Sequence, residues 1–281
     1  MTQPVTALAQ WYGGNRTLAP TFGAALDGCN WVGVPFAGGM AELPHIKART
    51  LLVNDLHRHV INLARVVASD QLPALLCNLR NAPFHPDVLA KCQAICRDTQ
   101  SGDAPDFDLA RAYFVCSWMG RAGKSGIDDE FNGRPAVRWN SAGGDSVTRY
   151  RSALRMLVTF KRTLRRCAFE TMDCFDFLAR CEDCTGHGLY VDAPFPGAGR
   201  RYRHNAGQTD AEERSWHTRL RDALGRFQQA RIVCRFYDIP LIRELYPEPG
   251  WAWTSLKGRT QANKEAAEVM LVRNGQEKGL F

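Results

Sequence analysis

Asp192-Ala193-Pro194-Phe195 follows an apolar run, Leu189-Tyr190-Val191, in a chain of 281 residues. An acid followed by X-Pro-aromatic at the carboxyl end of a strand offers two acceptors beside a flat apolar face. The Asp192 carboxylate and the Ala193 carbonyl can take the two hydrogens of an exocyclic amine, while Phe195 stacks on the ring that bears it. That is the chemistry of methylating a base amine. A base inside a duplex must first be swung out, at an unstacking cost of about a few kcal/mol, and an aromatic platform returns roughly 1–3 kcal/mol per base. No covalent intermediate on the protein is required, and the sequence has no Pro-Cys pair that would serve as a ring-carbon nucleophile. The plainer roles are a turn cap for Asp192 and core packing for Phe195.

A methyl donor of nucleoside type needs its own pocket. Trp31 to Pro35 reads as a short buried strand that runs into the turn Pro35-Phe36-Ala37-Gly38-Gly39, and Ala48 to Asp55 reads as a second strand ending in an acid. Glycines let backbone approach a ligand, and an acid at the next strand end accepts hydrogen bonds from ribose hydroxyls. Apolar residues from Val60 to Val67 then recur at helical spacing. Sheet patterns resume at Cys167 to Met172, Gly188 to Val191 and Ala230 to Phe236. Ala211 to Phe227 reads as an amphipathic helix, Pro240 to Tyr246 as a short one, and Trp251 to Leu256 with Ala267 to Val272 as a closing hairpin.

Between these halves the character changes. Helical patterns at Pro86 to Arg97 and Leu109 to Trp118 alternate with the polar segments Gly120 to Gly126 and Asn140 to Asp145. The expected fold is therefore α/β, a doubly wound sheet made by residues 1–68 and 167–281, with residues 69–166 inserted as a mainly helical lobe that reads the substrate. Gly123-Lys124-Ser125 has no preceding strand and reads as a loop rather than a phosphate cradle. The terminal segment Gly275 to Phe281 looks dispensable.

The formal charge is +7, from 36 Lys and Arg against 29 Asp and Glu. Arg149, Arg151, Arg155, Lys161, Arg162, Arg165 and Arg166 are clustered, and Arg200, Arg201, Arg203 and His204 directly follow the Asp192 motif. A cationic loop beside a candidate site favours a polyanionic substrate. The ten cysteines are scattered singly and read as reduced, mostly buried thiols. Cys181 and Cys184, with His187 nearby, have zinc spacing but lack the second cluster that a structural site needs, so a polar loop is favoured and no metal is expected. No apolar stretch approaches the length of a membrane helix and the start lacks a secretory pattern, which places the chain in the cytoplasm with no membrane partner.

With these motifs in order, the chain resembles the Dam-like, or α-group, DNA adenine-N6 methyltransferases. The resemblance covers most of the chain outside roughly 70 to 160. Gln10-Trp11-Tyr12-Gly13-Gly14-Asn15-Arg16 is similar to the family's "KWAGGKR", Pro35-Phe36-Ala37-Gly38-Gly39 to "EPFxGxG" and Asn54-Asp55 to "ND". Asp192 to Phe195 is similar to "DPPY", and Tyr237-Asp238-Ile239-Pro240 with Glu244-Leu245-Tyr246 to "YDxPxxxELY". Each pattern alone is common, and five in the right order are specific.

The resemblance implies a class I S-adenosylmethionine-dependent methyltransferase fold, Rossmann-like with a seven-stranded sheet, and S-adenosylmethionine as cofactor. Trp11, Gly13, Gly14 and Asn15, with Pro35, Phe36, Ala37, Gly38 and Gly39, would line the methionine end, and Asp55 would hold the ribose. Asp173 matches the acid that contacts the cofactor's adenine amine, with a helix cap as an equal alternative. Asp192, Ala193, Pro194 and Phe195 would form the catalytic segment. Double-stranded DNA is the implied partner, with Lys124, Arg162, Arg200, Arg201 and Arg203 as phosphate contacts that carry affinity but no sequence information. A restriction endonuclease partner is compatible with this reading, and the protein is expected to be a monomer or a weak dimer.

Several positions depart from the family pattern. Ala193 replaces the first proline, which frees a φ angle the family restrains, and Phe195 replaces tyrosine. Val34 stands where the family has glutamate and Asn15 where it has lysine, so two charged groups near the cofactor's amino-acid end are absent, which weakens its binding. The reading is a site-specific adenine methyltransferase, with a cytosine-N4 enzyme or a DNA-binding protein without turnover as alternatives.

Overall fold

The computed structural model describes residues 7–14, 16–99, 102–120, 124–137, 145–259 and 265–275. Asn15, Gly123, the segment 140–144 and the tail beyond 275, for all of which the sequence carries expectations, lie outside them. In chain order the first elements are α1 (Ala19–Ala25), β1 (Trp31–Val34), β2 (Thr50–Asn54), α2 (Arg58–Ala68), α3 (Leu72–Asn81), α4 (Pro86–Asp98) and α5 (Phe107–Met119). Then follow α6 (Ser146–Leu164), β3 (Cys167–Glu170), α7 (Cys174–Arg180), β4 (His187–Val191) and α8 (Asp210–Gly225). The chain closes with β5 (Arg231–Tyr237), α9 (Pro240–Leu245), β6 (Ala252–Arg259) and β7 (Glu265–Arg273).

Among the described residues seven strands join one sheet in the order β3-β2-β1-β4-β5-β7-β6. The first five run parallel. Strand β7 is antiparallel to both β5 and β6. Parallel strands covered on both faces are near-continuous apolar runs, which is what Leu189-Tyr190-Val191 and Ile232-Val233-Cys234 supply. Leu189, Val191, Ile232, Cys234 and Phe236 form the core with Leu220 and Leu224 of α8 and Phe177 of α7. Helix α8 starts at a capping box between Thr209 and Glu212, which satisfies two donors that the first turn otherwise leaves open. The strand order, with one reversed strand between β5 and β6, makes an α/β doubly wound sheet of the class I, Rossmann-like kind.

The chain divides into two compact units. The sheet unit holds residues 17–37, 42–56 and those from 167 onward. The helical unit holds residues up to 16, the short piece 38–41 and residues 57–166. It is organised on α5, which is apolar nearly all round and buried from Leu109 to Met119 except for Arg111. Helices α2, α3, α4 and α6 all pack on α5, as an all-round apolar helix requires. The helical unit therefore begins at His57 rather than at residue 69, because α2 packs on α5, α6 and α3. Among the described residues no single helix is long and apolar enough to cross a membrane.

Candidate functional site

The order of strands puts a switch point between β1 and β4. From β1 the chain passes to β2 and β3 on one side, and β4 and β5 lie on the other. In open α/β sheets the crevice beyond the carboxyl ends of the strands at such a point is where ligands bind. Strands β1 and β4 pair directly, Val32 beside Gly188 and Gly33 beside Leu189. Pro35-Phe36-Ala37 and Asp192-Ala193-Pro194-Phe195 consequently leave adjacent parallel strands at the same edge. Asp55 leaves β2 and Asp173 follows β3 at that edge too.

Asn54 bolts these ends together. Its side-chain amide donates to the carbonyls of Pro35 and Met172, each at 3.0 Å, and its carbonyl oxygen accepts the Met172 N–H at 2.9 Å. The Ala37 N–H donates in turn to the Asn54 carbonyl at 3.0 Å. Both turns that flank β2 are thus held by one residue that is 1% exposed. Phe36 is half-buried and packs on Trp216 of α8, with ring centres 6.0 Å apart. Asp173 caps α7, its Oδ1 accepting the Phe175 N–H at 2.8 Å, so the capping role is realised. Val34 is buried apolar core, which leaves no charge at the position where the family carries glutamate.

Asp192 stands in a charged cluster that the sequence reading missed. Arg235, on the interior strand β5, is 2% exposed. Its Nη1 donates to Asp192 Oδ2 at 3.1 Å and its Nε to Glu268 Oε2 on β7 at 2.8 Å. Burial raises the Asp192 pKa above the ordinary aspartate value, and Arg235 works against that shift. Glu42, also buried, is pushed up to about 7 by desolvation and by the charge of Asp192, with Arg235 opposing. Tyr190 is pushed well up by burial and by the carboxylates around it. Phe195 meets Tyr237 edge to face, with centroids 4.7 Å apart, and the Arg235 guanidinium lies 5.2 Å from its ring centre. The one readable hint of this cluster was a charged residue inside the apolar run Ile232 to Phe236, since arginine is almost never fully buried without partners.

The loop after Phe195 is shaped by Glu213 of α8. Its carboxylate accepts the Gly197 N–H at 2.8 Å and binds Arg200 at 2.6 Å. Arg200 also pairs with Asp210. The expectation of Arg200 as a phosphate contact therefore meets a competing arrangement, in which its guanidinium staples the loop, while Arg201 and Arg203 are exposed.

In the helical unit, the segment from Leu8 to Tyr12 runs beside Ser125 and Gly39. The Tyr12 N–H donates to the Ser125 carbonyl at 3.0 Å and the Leu8 N–H to the Gly39 carbonyl at 2.8 Å. Trp11 lies against two glycines with positive φ, Gly38 and Gly126, where a Cβ would come within 2.9 and 2.7 Å of the indole. Glu130 fixes that contact, one oxygen accepting the Gly126 N–H at 2.6 Å and the other lying 2.5 Å from His57 Nε2. Gly13 and Gly14 are exposed. Lys124 pairs with Asp129 at 2.6 Å, and Arg162 is exposed on α6.

The Cys181-to-Cys184 segment is built on its acid rather than its thiols. Asp183 accepts the N–H groups of Gln228, Gln229 and Ala230 at 2.7, 2.8 and 2.9 Å, pinning the approach to β5. Cys181 donates its thiol to the Phe177 carbonyl. Among the described residues no three His, Cys, Asp or Glu side chains are grouped to hold a metal ion.

No protein-family model and no curated protein matches the chain. Among solved structures it is similar to SMU.472, a protein provisionally classed as a methyltransferase and solved in complex with SAH, at 12% identity and a TM-score of 0.31. The match covers 72% of this chain and 56% of that one. At that similarity the fold rests on the strand order itself and the site on its own geometry.

Proposed function

We propose that this protein is an S-adenosylmethionine-dependent DNA methyltransferase acting on the exocyclic amine of a flipped adenine. The observation that carries the reading is the exit of the acid-X-Pro-aromatic segment from β4 directly beside the turn that leaves β1, at the switch point of a class I sheet. The residues fit the donor: Asp55 ends β2 where ribose hydroxyls would be met, and the Pro35 to Ala37 turn is held open by Asn54. Bound there, the donor supplies an electrophilic methyl group on a sulfonium. The Asp192 carboxylate and the Ala193 carbonyl draw the two amine hydrogens, which aims the nitrogen lone pair at that carbon. Transfer of that methyl group to the amine would break its bond to sulfur, the electron pair remaining on sulfur, and the nitrogen would shed one proton to water. Phe195 supplies the stacking face.

A polyanionic partner is supported by the charge of +7 and by its distribution. Arg151, Arg155 and Arg162 are exposed along one face of α6, and Arg201 and Arg203 follow the catalytic segment. Contacts of this kind supply affinity that falls with salt. The helical unit is the part left to read sequence.

Direct reading of modified bases in DNA from cells expressing the protein tests this, beside an Asp192→Ala control. The expected result is methylated adenine in one short motif, lost in the control; methylation that survives the substitution removes Asp192 from the mechanism. Methylated cytosine amine in its place would change the base and keep the chemistry. The apolar burial of Val34 favours a second reading, a DNA-binding protein without turnover, and DNA binding with no methylation in either sample is its outcome.

A further inference from the structure

Arg235 touches both working side chains of the 192–195 segment. Its Nη1 holds Asp192 Oδ2 at 3.1 Å and its guanidinium carbon lies 5.2 Å from the centre of the Phe195 ring. Glu268, 2% exposed, anchors the opposite side of the same guanidinium through Nε at 2.8 Å. Arg235 emerges from a strand hydrogen-bonded on both sides, by β4 and by β7, so its backbone has little freedom. Taking a guanidinium out of water costs about several kcal/mol unless geometry and partners offset it. An apolar residue would serve the sheet at position 235 at lower cost.

We propose that Arg235 is the positioning residue of the methyl-transfer site, holding Asp192 by Oδ2 and Phe195 by its ring face so that Oδ1 alone is presented to the amine. The inference rests on the methyltransfer reading of Asp192 and deepens it. Capture of one oxygen fixes the rotamer of the carboxylate, and with it the direction in which the remaining oxygen pulls an amine hydrogen. A cation over the ring adds an attraction that orients Phe195 before any base arrives. The groups facing Asp192 are Arg235 from β5, Glu268 from β7, Tyr190 from β4 and Glu42 from the turn before β2. Arg235 is the single cation among them. It opposes the upward push of burial on the Asp192 pKa, so its removal moves that pKa higher.

The test compares wild type, Arg235→Lys, Glu268→Gln and the charge-balanced double variant Arg235→Met with Glu268→Gln. Each is checked for folding by thermal melt, then assayed for methyl transfer to adenine-containing DNA across a pH series. A misplacement near 1 Å costs about 100-fold in rate, so the double variant is expected to lose about that much in kcat with KM for the donor nearly unchanged. The acid limb of its kcat profile should move to higher pH, and Arg235→Lys should recover part of the rate. A folded double variant with wild-type kcat and an unmoved acid limb overturns the role. Absence of turnover in the wild-type protein removes the methyltransfer reading and this role with it, whereas turnover indifferent to position 235 removes the role alone.

Discussion

Glu42 illustrates how a single side chain sets a pH response. Its pKa is raised from the usual 4.5 to about 7, first by burial and then by Asp192. Below the ordinary value the carboxyl is neutral in both folded and unfolded chains, and the folded state bears no penalty. Between the two values the unfolded chain ionises while the folded one keeps its proton, so stability falls as pH rises, and above about 7 the loss is complete. A shift of that size corresponds to at most about 3 kcal/mol. Glu42→Gln should therefore gain stability over wild type between about pH 5 and pH 8, read by urea unfolding at a series of pH values; a gap that stays constant with pH would show that ionised Glu42 is well tolerated. The places of Asp192, Phe195 and Asp55 just beyond strand ends were legible in the sequence because each follows a local apolar run. Arg235, Glu42 and Glu268 come from three distant segments, and nothing local to any of them names the others. Asp173 was readable only as two alternatives, and the Phe175 N–H supports its capping role.

Among elements, the strands were the most legible. Each expected strand is found within about three residues of its place, the end of β6 being the furthest off, because runs such as Leu51-Leu52-Val53 and Ile232-Val233-Cys234 leave few alternatives. Helix α6 escaped notice although Tyr150, Leu154, Leu157, Phe160 and Leu164 are buried along it at helical spacing. Its arginines drew the reading toward charge, and the stripe they form is the solvent face of an amphipathic helix. The segment from Cys181 to Cys184 reads as a polar loop, and what the thiol spacing did not convey is the acid between them, Asp183, which receives three backbone donors. What joins the elements at the site is Asn54. Asn54→Ala would leave the Pro35 and Met172 carbonyls and the Met172 N–H without their partner, and each buried orphan costs about 1–3 kcal/mol. A loss of about 2–4 kcal/mol in chemical denaturation is expected, and a loss under about 1 kcal/mol would show that water or a shifted backbone replaces the amide.

For the whole molecule, the sequence conveyed a doubly wound sheet interrupted by a helical insertion, and the sheet order bears out the first. The limit of the insertion was less legible. Helix α2 reads as the helix that follows β2, but its apolar residues serve α5, and apolar periodicity does not say which neighbour it will meet. None of the ten cysteines is in a disulfide, seven of them are buried and Cys77 alone is exposed. The melting temperature should accordingly be unaffected by reductant, and a thiol reagent applied to the native protein should modify Cys77 first, with the full count reached only after denaturation. A melting point lowered by reductant would reveal a disulfide.

The placing of Glu268 bears on how the protein comes into being. The strand that carries it follows β6 in the chain, yet it is threaded into the sheet between β5 and β6. A growing polypeptide on the ribosome thus possesses Arg235 and Asp192 for some time before the second counter-ion, Glu268, exists. Products ended by a premature stop codon before 268 would retain Arg235 and Asp192 and lack the acid that anchors the other side of the guanidinium.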